Sequence, residues 1–261
     1  MSWEDVKKEL ESDEYKTEYA RSVDILNSLI RPLMFIKVNC NIHKSFTGTL
    51  FFKFIIDDLI HSLIGLKVLL DEGIVNSCKR ELRYILELAV KACLVSQKYS
   101  RESFDKQLLI YKKLLKDTNI SMIEEIKFHF FDEEYRGQFI SDVKREYGIL
   151  CDYVHCTPVQ IKERLDLDNI GKTLGLGGTE ELFQLNNFIE KVLSLVIVLC
   201  LHAVPNWCVG DWIVERNGDT VESYFQCSKY FAEIDKYYDY KCERQEKLDE
   251  LSKCRKSRIK I

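Results

Sequence analysis

Helix breakers are scarce in this chain. Its 261 residues include three prolines (Pro32, Pro158 and Pro205) and eleven glycines. Proline removes a backbone donor and glycine costs conformational entropy, so their rarity excludes a turn-rich all-β chain and favours long helices. The ten cysteines include no Cys-x-x-Cys pair, which excludes a zinc ribbon or a thioredoxin-like motif. There is no Gly-x-Ser-x-Gly elbow and no His-Glu-x-x-His helix. Gly171-Lys-Thr173 lacks the spacing of a phosphate loop, and no strand precedes it. A basic excess is missing too. Lysine and arginine total 38 against 42 acidic residues, for a net charge of −4, so no global field advertises nucleic-acid binding, although a local patch remains open. The longest apolar run, Val192 to Val204, is interrupted by Ser194 and His202 and stops at Pro205. It falls short of the roughly 20 residues of a membrane span. The N-terminal stretch is charged and has no signal-like apolar segment. The expectation is therefore a cytoplasmic protein with no membrane partner.

Hydrophobic residues make up 46% and charged residues 31%, the balance of a globular domain with ample core. Thirteen tyrosines and fourteen phenylalanines supply large packing groups. Residues 1–38 suggest a charged helix and then an amphipathic one, broken or kinked by Pro32, with a loop over 39–49. Residues 50–71 and 74–99 suggest an antiparallel helix pair turned at Glu72-Gly73. Further helices are expected over 101–116, from Ser121 to Phe131, from Phe139 to Val154 (ended by Pro158), and from Thr179 to His202. Residues 132–138 read as a polar connection and 166–179 as a glycine-rich loop. Asn217-Gly218 suggests a small hairpin near 211–222. The fold class expected is all-α: one irregular bundle of about eight helices over 1–261, with N-terminal helices at 1–38, a core bundle at 50–204, and a C-terminal hairpin or loop plus charged helix at 206–261. Most cysteines read as reduced core thiols.

Two polar patterns interrupt the apolar helices. Arg83 and Glu87 are four apart and share a helix face. An exposed pair of this kind contributes only a few tenths of a kcal/mol. Leu82, Ile85, Leu86 and Leu88 surround them, which places the pair at the margin of a buried face, as a strut or as a site. Later, Tyr147, Cys151 and His155 follow at spacings of four and four. His155 is expected in the last turn of its helix, where the dipole favours its protonated form. It then either caps carbonyls or acts as a general acid or base. Asp152 lies three residues before it and can orient it; Arg145 lies ten residues before it. Cys151 with His155 and Cys156, Cys40 with His43, and Cys200 with His202 are the candidate metal ligands, but none has structural-zinc spacing. No metal and no cofactor is expected.

The order of features in residues 66–156 resembles a group of helical bacterial proteins. In these a long helix, a glycine and a helix with Arg-x-x-x-Glu precede a helix ending in a Tyr-x-x-Leu-x-x-x-x-His motif. The matching residues are Gly73, Arg83, Glu87, Tyr147, Leu150 and His155. That group is similar to abortive-infection and HEPN-like proteins, many tied to phage defence or RNA cleavage. The resemblance implies a partner in RNA and a metal-independent ribonuclease, with Arg83, Glu87 and His155 catalytic and Tyr147, Asp152 and Arg145 supporting. His155 would move the proton and Arg83 would stabilise phosphate charge. One departure stands out. HEPN-type ribonucleases carry an Arg followed, after a spacer of about four to six residues, by a His near the same helix end, whereas Arg145 is ten residues from His155. The alternative is a non-catalytic module that forms a homodimer or regulates a partner protein.

Overall fold

The computed structural model describes residues 3–42, 51–117, 119–169 and 178–260. Among them it has eleven α-helices: α1 (Trp3–Leu10), α2 (Asp13–Ile42), α3 (Phe52–Asp71), α4 (Val75–Lys98), α5 (Phe104–Leu114), α6 (Glu133–Cys151), α7 (Pro158–Asn169), α8 (Thr179–His202), α9 (Asn206–Ile213), α10 (Lys229–Tyr237) and α11 (Leu248–Arg258). Short 3-10 turns lie at Ser121–Glu125, Tyr224–Cys227 and Cys242–Lys247. The protein is all-α.

Helices α4 and α8 carry the core. Every residue from Leu88 to Ser96 of α4 and from Val192 to His202 of α8 is buried. Helices apolar on all sides must be wrapped on all sides. Helices α3, α5, α6 and α8 pack around α4, and α2 packs on both α3 and α8. By length and composition α8 is long and apolar enough to cross a membrane, although the sequence run alone was read as too short; 67% of its apolar window is buried inside the protein.

The α3–α4 turn forms where Glu72-Gly73 predicts it. Gly73 has φ 64°, its N–H donates to Leu70 O at 3.0 Å, and the Ile74 N–H donates to Leu69 O at 2.8 Å. This double closure needs a left-handed residue, and glycine enters that region without penalty.

Several boundaries differ from the sequence expectation. Pro32 lies inside α2 rather than ending it. Helix α6 starts at Glu133, not Phe139, because Asp132 caps it by accepting from the Tyr135 N–H at 2.8 Å. Pro158 does not merely stop a helix; it is the first residue of α7, where its missing N–H costs nothing. The helix expected through Phe131 lasts only from Ser121 to Glu125, as a 3-10 turn. The hairpin expected near 211–222 shrinks to one antiparallel bridge, Val214 with Thr220, because α9 runs on to Ile213. The described part of the expected 39–49 loop, 39–42, is the end of α2, and 43–50 lie outside the described residues. In the expected 166–179 loop, 166–169 belong to α7 and Thr179 opens α8, while 170–177 lie outside the described residues.

Candidate functional site

Four charged residues recur every fourth position along α4: Lys79, Arg83, Glu87 and Lys91. That spacing stacks them along one side of the helix. Lys91 is fully buried; its Nζ lies 2.6 Å from Glu87 Oε1 and donates to the Asp117 carbonyl at 3.2 Å. Glu87 also pairs with Arg83, NH1 to Oε2, at 3.2 Å. From α6, the buried Tyr147 closes the group. Its hydroxyl accepts from Arg83 NH2 at 2.7 Å and donates to Glu87 Oε2 at 3.2 Å. The guanidinium carbon of Arg83 stands 4.9 Å from the Tyr147 ring centroid, and Arg83 Nε donates to Cys151 Sγ at 3.4 Å. Burial raises the pKa of the Tyr147 hydroxyl, and the Glu87 charge raises it further, so it stays protonated and can donate. Burial opposes the Arg83 charge, but Cys151, Tyr147 and Glu87 together outweigh it.

A second rung lies one turn toward the N-terminus of α4. Lys79 Nζ donates to the Tyr153 hydroxyl at 2.8 Å and sits 4.0 Å from that ring's centroid. The hydroxyl donates to Glu163 Oε1 of α7 at 2.5 Å, and Lys79 pairs with the same oxygen at 3.3 Å. Burial and the bond to Glu163 raise the Tyr153 pKa. Beside this rung opens a cavity of about 860 Å³, lined by Ile149, Leu185 and Phe188 and by many polar and charged side chains, Lys79, Tyr153 and Glu163 among them. The seam holds three cations (Lys79, Arg83 and Lys91) and two carboxylates (Glu87 and Glu163), which leaves one positive charge in excess.

The structure brings Arg83, Glu87 and Tyr147 together. The remaining expected site residues stand elsewhere. Helix α6 ends at Cys151, so His155 lies in the turn beyond it and not in the last helical turn. His155 is exposed and joins no hydrogen bond or ion pair among the described residues. Cys156 follows it in a left-handed conformation, φ 48°, which a side chain rarely adopts and which redirects the chain into α7. Asp152 caps α6, and its carbonyl accepts from the Thr157 hydroxyl at 2.8 Å. Arg145 pairs with Asp142 at 2.8 Å and with the buried Glu146 at 3.0 Å, apart from the seam. Among the described residues no cluster of three His, Cys, Asp or Glu side chains could hold a metal ion.

The chain matches no known family model, no curated protein and no solved structure. Sequence reasoning missed Lys79, Lys91, Tyr153 and Glu163. The signal for the two lysines was present: the interval that paired Arg83 with Glu87 extends one step in each direction. No local signal links Tyr153 or Glu163 to α4, because that contact depends on how α7 folds back.

Proposed function

We propose that this chain is a HEPN-like, abortive-infection-like helical protein that acts on RNA in phage defence or a stress response, with the α4–α6 seam as its working face. The observation supporting this reading is that Arg83, Glu87 and Tyr147, which the resemblance singles out at separate points of the sequence, meet in one partly buried group, in a seam whose charged residues together leave one positive charge in excess. His155 stands in solvent on the turn that leaves it. A partly desolvated guanidinium is suited to phosphate. An exposed imidazole with no protein partner among the described residues is available to carry a proton. The site would work without a metal.

A second reading is favoured by a specific observation. Arg83 already meets Glu87, Tyr147 and Cys151, and His155 joins none of them. In that reading the seam is a strut and the chain is a non-catalytic interaction module. Helix α7 would offer the contact surface, since Val159, Ile161 and Leu165 lie exposed along it.

Incubating purified protein with unstructured RNA tests both. The first reading expects cleavage by the wild type and loss of at least tenfold in His155→Ala and Arg83→Lys. Equal rates in all three remove the seam from catalysis. No cleavage by the wild type, together with self-association that Ile161→Asp/Leu165→Asp abolishes, would establish the second.

A further inference from the structure

A second face carries a run of aromatic rings that reaches from the core to the surface. The segment Phe128–Phe131 wraps over the end of α8, and α10 leads into Tyr237, Tyr238 and Tyr240. Of these three tyrosines only Tyr238 is used inside: it is 1% exposed, and its hydroxyl donates to the Asn206 carbonyl at 2.8 Å. Tyr237 and Tyr240 remain 42% and 68% exposed. The rings are nonetheless continuous. His129, an exposed residue whose ring also packs 4.9 Å from that of the buried His202, lies 4.0 Å from Phe130 between centroids; Phe130 lies 4.9 Å from Tyr237; Tyr237 lies 6.2 Å from Tyr240. Phe130 and Tyr238 back this row from below as buried residues.

The row is also held in place. Gln97 of α4 donates to the carbonyls of Lys127 and His202 and accepts from the Lys127 N–H, which fixes the approach to His129. Gln245 donates to the carbonyls of Asp239 and Lys241, at 2.7 and 3.1 Å, which fixes the backbone on both sides of Tyr240. Exposed rings on a fixed backing lose little entropy when something stacks on them. Three lysines flank the row in sequence: Lys127, Lys236 and Lys241. Lys236 pairs with Glu233 and Lys241 with Asp211, while Lys127 has no acidic partner among the described residues. Asp239 is taken up by Arg255 and Arg244. Lys127 is therefore the one lysine of the three with no acidic partner among the described residues.

We propose that the row His129–Tyr237–Tyr240 is a stacking platform for the unpaired bases of single-stranded RNA. This rests on the RNA reading above and adds to it the substrate class and the surface that holds it. Every nucleobase offers a π face, so such a platform selects unpaired bases over duplex without reading sequence. The flanking lysines suit the backbone phosphates that accompany stacked bases.

Fluorescence anisotropy with a 12-nucleotide 2′-O-methylated oligouridine, which resists cleavage, tests the platform. Wild type should bind it more tightly than a duplex of equal length. Tyr237→Ala/Tyr240→Ala should lose roughly tenfold or more in affinity. Tyr237→Phe/Tyr240→Phe should keep it, because the ring and not the hydroxyl does the stacking. Tyr84→Ala removes an exposed tyrosine on α4, away from the platform, and should bind as wild type. If the double alanine variant binds as wild type does, the platform is overturned while the RNA reading stands. If wild type binds no single strand and cleaves no unmodified RNA, both are overturned.

Discussion

At the scale of single residues, Lys91 and Glu87 show how one group can be both strut and site. Lys91 has a side chain 1% exposed, and its only anionic partner among the described residues is Glu87, which also holds Arg83. Removing the shared carboxylate strands a buried ammonium. Glu87→Ala should therefore cost about 3–5 kcal/mol of unfolding free energy in urea titration. Lys91→Met takes away the buried charge and leaves the Arg83–Glu87 pair intact, so it should cost far less or even stabilise. Equal losses in the two variants would contradict the charge argument. His202 makes a second residue-scale prediction. Its Nδ1 lies 2.8 Å from the Val198 carbonyl, Nε2 has no partner, and Phe128, Phe130 and Phe131 enclose the ring at 4.8–5.1 Å. Burial, outweighing the bond to Val198, pushes its pKa down from the usual 6.5 to about 3. Between these values the unfolded chain binds a proton that the folded chain excludes, so stability falls as pH drops below 6.5. The slope from this residue approaches about 1.4 kcal/mol per pH unit. It is read between 6.5 and about 5, above the range where carboxylates titrate, where the neighbouring His129, whose pKa burial also lowers, adds to it. His202→Gln should flatten the stability profile in that window, and an unchanged profile would mean His202 is not its source.

At the scale of elements, two helices are fastened by polar groups and not by packing, and they should behave accordingly. In α7 only Gln160 is buried; it donates to the Tyr153 carbonyl at 2.8 Å, and Glu163 ties the helix to Lys79 and Tyr153. Few buried apolar contacts mean a low local opening energy. Amide hydrogen exchange should be fast in α7 and slow in α4 and α8, and Glu163→Ala should speed α7 further while leaving the global unfolding midpoint nearly unchanged. In α11 only Leu251 is buried; Arg255 fastens it to Asp239 with two bonds of 2.6 and 2.8 Å and to the buried Asp235 at 2.6 Å. Arg255→Ala should expose 248–258 to limited proteolysis. The same contrast explains what could be read from sequence. Helices α3 and α4 were legible because their apolar spacing and Glu72-Gly73 are local signals that agree with the packing. The start of α6 was legible in principle, since Asp132-Glu-Glu is a capping signal, but residues 132–138 are polar enough to resemble a connection. The segment 126–131 was not legible. Its run of phenylalanines suits a buried helix as well as the turn that packs around His202, and only the position of α8 decides between them. For the site, the Arg83–Glu87 rung followed from spacing. The separation of His155 followed from where α6 ends and from the left-handed Cys156, which no periodicity reveals.

At the scale of the whole molecule, the ten thiols report how cooperatively the bundle opens. Cys78 and Cys93 of α4 and Cys200 of α8 are fully buried, while Cys156 and Cys242 are exposed. Burial raises the pKa of Cys93 and Cys200, and also that of Cys78, which rises to about 12, so these groups are shielded both sterically and by lack of thiolate. Cys93 and Cys200 sit in the continuously buried stretches of the two helices that the rest of the bundle encloses, so opening of α7 or α11 alone is expected to leave them covered. Native labelling with a maleimide should therefore modify Cys156 and Cys242 first. Cys93 and Cys200 should react together, only as fast as the whole molecule unfolds, and their labelling should follow the circular-dichroism transition across a urea series. If one of the pair reacts well before the other, α4 and α8 do not open as one unit. A core built on their mutual burial would then be the wrong description of what holds this chain together.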